Sequence, residues 1–368
     1  MSRFSISLAG SADDASLRAR MAADWMTGEV AVSFRREPSY FAGCRLQGHA
    51  TQVVKCTDAI TGDLIAMGSR STAAAYVDGE ARRIGYLADL RIAREYRRGT
   101  LLARGYGFFR TLHEADPVPL YTTVIYEGNR DAADALVGGR ARLPLYRDWG
   151  RILTPAIRLD FPVRSARGRE LGIVRGTRAR LSEIVGFLNS ELRQKQFAPV
   201  YREEDFAEGR FRGLAPEDFF LAERHGRIVG TVAAWDQSSI RQTHVERYSG
   251  ARAWLRPVYN ALARMTPLKP LPKPGARIPY VYLACLATEG NDVPILRCLL
   301  RAAHDVLRRG RWQFAIAGLH ETDPLAGVLE EFHAIPAAGR VFVVHWPDEP
   351  VMVQGPDRRI PYLEAGCL

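Results

Sequence analysis

Tyr86–Phe109, YLADLRIAREYRRGTLLARGYGFF, is the stretch whose reading decides the fold. An apolar run leads into a turn crowded with arginine, and the turn opens directly into a helical pattern. Between Arg91 and Arg104 there are five arginines and one glutamate, and Gly99 and Thr100 are the small residues of the turn. A helix N-terminus presents unpaired N–H groups and a partial positive charge, and arginine adds forked donors matched to phosphate oxygens. The physical reading is a strand–turn–helix that holds a diphosphate. The plain alternative is a solvated basic turn.

The pentapeptide Tyr86-Leu87-Ala88-Asp89-Leu90 returns as Tyr282-Leu283-Ala284-Cys285-Leu286, and its surroundings return with it. Upstream of the first copy, Val53–Thr57 and Leu64–Ser69 flank a turn at Thr61-Gly62-Asp63. Upstream of the second, Phe219–Glu223 and Ile228–Trp235 flank His225-Gly226. Glycine between β-rich runs predicts a hairpin in each case. Each copy is followed by a helix and an apolar strand, Leu120–Tyr126 and Trp312–Gly318. Each half opens on a short strand (Phe4–Leu8, Leu171–Val174) and a capped helix (Ala15–Met26 after Ser11–Asp14, and Arg178–Leu192 after Thr177). The chain therefore reads as two copies of one α/β unit with mixed sheets.

The first unit is expected over residues 1–160, with a polar, basic linker over 161–171. The second is expected over 172–346, followed by a tail over 347–368. An insertion at 237–279 has no counterpart in the first half. It carries an aromatic and basic part, read as a helix interrupted at Pro257, and then PLKPLPKPGARIP, read as extended backbone. It reads either as a lid or wall over a cleft or as an arm packed on the second unit. Trp254 and Tyr259 within it suit contact with an apolar group or core packing.

The composition is globular, with 47% hydrophobic and 25% charged residues, which sets disorder aside. A net charge of +10 and a pI near 9.6 favour an anionic partner. Five irregularly spaced cysteines and eight scattered histidines suggest free thiols and no metal site. No signal-like N-terminus and no apolar run long enough for a membrane span is seen, so a soluble cytoplasmic protein is expected. No helix-turn-helix or zinc-finger pattern supports nucleic-acid binding.

The order strand, helix, hairpin, strand, Arg-rich turn, helix, strand, helix resembles the GNAT superfamily of N-acyltransferases. Leu90–Leu102, LRIAREYRRGTLL, carries the resemblance most closely. Leu90 and Ile92 match that family's strand end, and Glu95, Tyr96 and Arg97 match the approach to its Arg/Gln-x-x-Gly-x-Gly/Ala loop. Asn129 and Ala132 match its Asn-led helix. The resemblance implies two tandem GNAT-like domains, the second degenerate, with acetyl-CoA or coenzyme A bound by the first. It implies that the backbone of Leu90, Arg91 and Ile92 pairs with pantetheine. Arg97, Arg98, Gly99, Thr100, Leu101 and Leu102 would then surround the pyrophosphate, with Asn129 nearby. The loop departs from the pattern, because Thr100 and Leu102 stand where glycine or alanine is usual and the glycine comes early, at Gly99. The second half has Glu289 and Asp292 in place of arginines, which implies lost cofactor binding. The tyrosine usual near Leu136 is missing.

Acyl transfer to an amine needs donors for the carbonyl oxygen, a group to take the amine proton and an acid for the thiolate. Asp89 is the first candidate base, with a salt bridge to Arg91 or another basic neighbour as its structural alternative. Glu127 is the second candidate base, and Tyr146 is the candidate acid. Arg35–Phe41 could line the acceptor site. The implied reaction is acetyl transfer from coenzyme A to a primary amine on a small molecule or peptide. The alternatives are a non-catalytic acyl-CoA-binding scaffold and a long-chain transferase fed by an acyl carrier protein.

Overall fold

The computed structural model describes residues 3–97, 99–139, 142–163, 171–350, 353 and 359–368. In it the apolar alternations of the sequence become strands. The first half contributes β1 (Phe4–Leu8), α1 (Asp14–Ala23), β2 (Val30–Arg35), α2 (Tyr40–Cys44), β3 (Ala50–Asp58), β4 (Leu64–Val77) and β5 (Glu80–Ile92). It continues with α3 (Leu101–Ala115), β6 (Tyr121–Tyr126), α4 (Arg130–Leu136), β7 (Leu145–Leu153) and β8 (Ala156–Arg158). The second contributes β9 (Gly172–Arg175), α5 (Leu181–Leu192), α6 (Glu203–Ala207), β10 (Phe219–Arg224), β11 (Arg227–Trp235), β12 (Gln242–Tyr248) and α7 (Ala251–Ala263). It ends with β13 (Tyr280–Thr288), α8 (Val293–Arg308), β14 (Phe314–Ala317), β15 (Leu319–His320), β16 (Ala334–Ile335) and β17 (Ala338–His345). Both hairpins expected from glycine are present. The turn at His225-Gly226 has positive φ at both residues, as does Asp78-Gly79 between β4 and β5. That geometry matches the twist of the flanking strands.

The strands form an eight-stranded sheet in the order β1-β3-β4-β5-β6-β17-β7-β15. A seven-stranded sheet has the order β16-β8-β14-β13-β11-β10-β9. Each sheet is antiparallel apart from one parallel pair, β5 with β6 and β13 with β14. The parallel pair in the first sheet is short. Only Gly85–Tyr121 and Tyr86–Thr122 are in register, and beyond them the ladder ends, with Thr123 Oγ1 donating to Leu87 O at 2.8 Å. Gly85 is required there, because a Cβ would lie 2.0 Å from the Tyr121 ring.

The halves exchange strands. β17, from the end of the chain, lies between β6 and β7 in the first sheet. β8, from the first half, lies between β14 and β16 in the second. Val341–Val344 is buried on both faces, as a near-continuous apolar run in a central strand should be. The sheets thus do not follow a boundary at residue 160. The halves are also stitched along β4, where Tyr76 and Phe197 exchange backbone hydrogen bonds of 2.8 and 2.7 Å with Ala198 and Tyr76.

The insertion corrects two expectations. Its strand β12 pairs with β2 of the first half, so it bridges the halves instead of resting on the second alone. Its helix α7 runs through Pro257 without a break. Ala253 and Pro257 lie on the exposed side, where water can satisfy the carbonyl that proline leaves unpaired. Trp254 faces solvent, not a core. In the second half Thr177 makes no side-chain cap, and a 3-10 turn over Arg178–Arg180 leads into α5.

A fragment of residues 1–160 lacks β17, the strand between β6 and β7. Expressed alone, it is expected to show no cooperative thermal transition by circular dichroism. Supplying residues 161–368 in trans is expected to restore one.

Candidate active site

The repeated pentapeptides build the same irregularity twice. In β5 the register passes from Ser69–Ala88 to Met67–Arg91, which leaves Asp89 and Leu90 opposite the single residue Gly68. In β13 it passes from Ala233–Ala284 to Thr231–Ala287, which leaves Cys285 and Leu286 opposite Val232. These are β-bulges, and their first residues, Asp89 and Cys285, have φ of 56° and 54°. A bulge inserts one residue and so shifts the side-chain alternation. Asp89 therefore turns toward α1 and α2, while Leu90 and Ile92 line an apolar cleft under α3. That shallow cleft is also lined by Gly68, Leu102, Gly105, Tyr106 and Phe109.

Asp89 sits in a buried charge cluster. Its Oδ2 accepts from Arg36 Nη2 at 2.6 Å and from the Tyr40 hydroxyl at 2.9 Å. Arg36 is only 2% exposed, stacks over the Tyr40 ring and donates to Cys44 Sγ at 2.8 Å. Gly43 makes room for it, because a Cβ there would meet Arg36 Cδ at 2.5 Å. Burial alone would raise the Asp89 carboxyl. The charges of Arg36, Arg91 and Arg241, with the Tyr40 hydrogen bond, outweigh it and hold the group below the ordinary aspartate value. The partner is thus Arg36 in place of a direct pair with Arg91. Arg36 and Tyr40 come from the Arg35–Phe41 segment expected to line the acceptor site. Gln242 of the insertion grips that segment, accepting from Glu37 N at 3.0 Å and donating to Glu37 O at 2.8 Å.

Arg241 adds a group that the sequence did not single out. It is 8% exposed, and one nitrogen donates to Gly366 O and Leu368 O at 3.3 and 2.7 Å. Its Nε and Nη2 are buried and meet no acceptor among the described residues. Burial pushes the nearby Tyr86 phenol up, and the Arg241 charge pulls against that rise.

The helix after the bulge differs between the halves. The N-cap of α3, Thr100, makes no side-chain cap bond. In the second half Asp292 Oδ1 caps α8 by accepting from Ile295 N at 2.9 Å. Gly99 has φ of 116°, a conformation that favours glycine, so its early position serves the turn itself. Leu101 is buried and Leu102 packs toward the apolar cleft, so these leucines turn away from the basic loop. Arg97 donates to Ile92 O at 3.1 Å and pairs with Asp131 at 3.1 Å, and Arg91 lies 4.0 Å from Asp24. Arg98 lies outside the described residues.

The other candidates stand apart from Asp89. Glu127 is exposed and makes a two-pronged pair with Arg151, at 2.6 and 3.2 Å, which holds its carboxyl below the usual range. Tyr146 is bonded to the Tyr106 hydroxyl in the core beneath α3, and burial pushes its phenol well above the usual value. Asn129 caps its own helix, accepting from Ala132 N at 3.2 Å. Neither Glu127 nor Tyr146 contacts the Asp89 cluster.

At the second bulge the protein fills the site itself. Cys285 N donates to Glu364 Oε2 at 2.9 Å and Leu286 N donates to the Tyr362 hydroxyl at 3.2 Å. Tyr362 and Tyr201 also donate to Glu364 Oε2, at 3.0 and 3.2 Å. Among the described residues no side chain takes the corresponding amides of Asp89 and Leu90.

No family model and no curated protein matches the chain by sequence. Solved structures do match by shape. Saccharomyces cerevisiae N-myristoyltransferase with bound myristoyl-CoA superposes with a TM-score of 0.62 at 10% identity, over 99% of this chain and 85% of that one. A GCN5-related N-acetyltransferase from Sphaerobacter thermophilus gives 0.53 at 11% identity, over 93% and 96%. The GCN5-related glucosamine N-acetyltransferase region of a fungal multi-domain GH3 β-N-acetylglucosaminidase gives 0.59 at 8% identity. It covers 93% of this chain, which spans 38% of that longer one. The fold is GNAT-type, in tandem. One bulge lies in each unit of that tandem fold.

Two stability predictions follow the two carboxylates. Arg36→Met strands Asp89 in a buried site and is expected to cost about 3–5 kcal/mol in denaturant unfolding, with Asp89→Asn in the same chain recovering part of it. Because the folded Asp89 value is depressed, its contribution is full above the unfolded value of about 3.9 and is lost as pH falls through the folded value. Glu364 behaves in the opposite sense. Burial raises its carboxyl, so its contribution is present at low pH and lost as pH rises through the folded value. Glu364→Gln should therefore flatten the alkaline side of the stability profile.

Proposed function

We propose that the protein is a coenzyme A-dependent N-acyltransferase whose active site is the β5 bulge of the first unit. The observation that carries this reading is the contrast between the two bulges. The second is closed by Glu364 and Tyr362 and followed by a capped helix. At the first, no side chain among the described residues takes the bulge amides, and Thr100 makes no side-chain cap at the start of α3. Amides held by a bulge are preorganised donors for the oxygen of a thioester carbonyl. The uncapped, arginine-flanked α3 suits the pyrophosphate. Where the β5–β6 ladder ends after Tyr86, the proposed place of a pantetheine arm is along the edge of β5. The amine nitrogen forms a bond to the carbonyl carbon, the carbon–sulfur bond breaks, and the thiolate leaves as coenzyme A. The amine's proton passes to solvent. Asp89 is ionised at neutral pH and is a weak base, so its proposed role is to orient the incoming amine beside Arg36 and Tyr40. The acceptor is an amine on a small molecule or peptide.

Calorimetry with coenzyme A and acetyl-CoA tests the donor site. Arg97→Ala/Arg98→Ala is expected to weaken binding by about tenfold or more. No binding to the unchanged protein would overturn the reading, and binding without thiol release from any amine would leave a scaffold. With Asp89 already ionised, the rate between about pH 6 and 9 should follow deprotonation of the acceptor amine.

A further inference from the structure

The insertion helix α7 is inside out. A surface helix normally turns its apolar stripe to the core and its polar face to water. The half-buried or buried positions of α7 are Arg256, Tyr259, Asn260 and Ala263. Asn260 exchanges bonds of 2.8 and 3.1 Å with the backbone of Leu271, Arg256 donates to Pro272 O at 2.9 Å, and the Tyr259 hydroxyl accepts from Arg158 at 3.3 Å. The opposite face carries Trp254, Leu255, Val258 and Leu262, which are 69%, 45%, 56% and 54% exposed. Met265, just beyond the helix, is 87% exposed. Positions 254, 258, 262 and 265 fall on one stripe at helical spacing. Polar contacts on the inner face and the β12–β2 pairing hold the helix in place, so this stripe is presented rigidly and does not result from a loose segment.

The charge around it has one sign. Residues 251–279 include Arg252, Arg256, Arg264, Lys269, Lys273 and Arg277 and no acidic residue. Arg252 and Arg264 flank the stripe, and Lys273 is exposed on the adjoining proline-rich segment. Arg252 pairs with Glu29 at 2.6 Å, the one carboxylate that reaches this helix among the described residues. A second copy of the chain would bring an equally basic face against this one, within a protein of net charge +10. An anionic bilayer offers the complement to both features, apolar depth for the tryptophan and aliphatic side chains and negative headgroups for the flanking arginines.

We propose that α7 is an interfacial helix that docks the protein on the surface of an anionic lipid bilayer. It lies in the headgroup plane with Trp254, Val258, Leu262 and Met265 inserted. This is peripheral docking and not a span, since no helix among the described residues is long and apolar enough to cross a membrane. Through β12 the docked helix is continuous with Gln242, which grips the Arg35–Phe41 wall of the candidate site. Docking therefore places that site close to the bilayer surface.

Flotation of the full chain with phosphatidylcholine vesicles, with and without about one-third phosphatidylglycerol, tests this. The protein is expected to float with the anionic vesicles, with a blue-shifted Trp254 emission that is absent in Trp254→Phe. Trp254→Gln/Val258→Gln/Leu262→Gln is expected to weaken binding by about tenfold or more, and Arg264→Glu/Lys273→Glu to remove the anionic preference. All changed positions are exposed, so far-UV circular dichroism and the melting temperature should be unchanged, which separates docking from folding. Failure of the unchanged protein to float with either vesicle would overturn the proposal. So would flotation unaffected by the triple change. Sedimentation showing a dimer that the triple change dissociates, without vesicle binding, would assign the stripe to a second copy instead.

Discussion

The two-for-one register at Asp89 and Leu90 is the constraint on which the first half depends. By adding a residue opposite Gly68 it reverses the side-chain alternation of β5 at its midpoint. One strand can then place Leu87 and Leu90 beneath α3 and Asp89 against Arg36 and Tyr40 on the other side. Without the extra residue the aspartate would point into an apolar layer. The bulge also interrupts the β4–β5 ladder just beyond the last backbone pair between β5 and β6. Gly68 is part of the same constraint, since a Cβ there would press against the Phe109 ring at 3.2 Å.

The second half shows the same backbone put to another use. Its bulge has an almost identical φ, but the tail returns through the molecule and supplies Glu364 and Tyr362 to the two amides. A buried carboxylate is costly unless it is well hydrogen-bonded, and this one receives two amide-side or phenol donors beyond the bulge amide itself. Filled in this way, the second bulge serves a structural use. The strand exchange of β8 and β17 has a related effect, since neither sheet is complete without the other half, and the open bulge is held against a partner that cannot drift away.

Several features were legible in the chain itself. The repeated pentapeptide, the hairpin glycines and the arginine-rich turn before Leu101 are local patterns, and local patterns specify local structure. They yielded the tandem α/β architecture, both hairpins, the helix after the turn and the contrast between Gly99–Leu102 and Glu289–Asp292. Asp89 was singled out as a carboxylate on the strand that leads into the arginine-rich turn. What Asp89 touches was not legible, because Arg36 and Tyr40 lie 53 and 49 positions away along the chain and reach it only through packing. Glu127 and Tyr146 were plausible by residue type, yet their partners Arg151 and Tyr106 occupy them in ways no spacing rule reveals.

The sequence by itself determined the unit of the fold, its duplication and the strand–turn–helix on which the candidate site is built, because these rest on periodicity, turn chemistry and short-range charge. Only the tertiary structure decided that the halves exchange strands, that the tail closes one bulge while the other stays open, and that α7 turns its apolar face outward. Those outcomes depend on which distant segments meet, and on whether a buried amide, carboxylate or guanidinium finds its partner there. The cost of leaving such a group unpaired is felt only once water has been excluded.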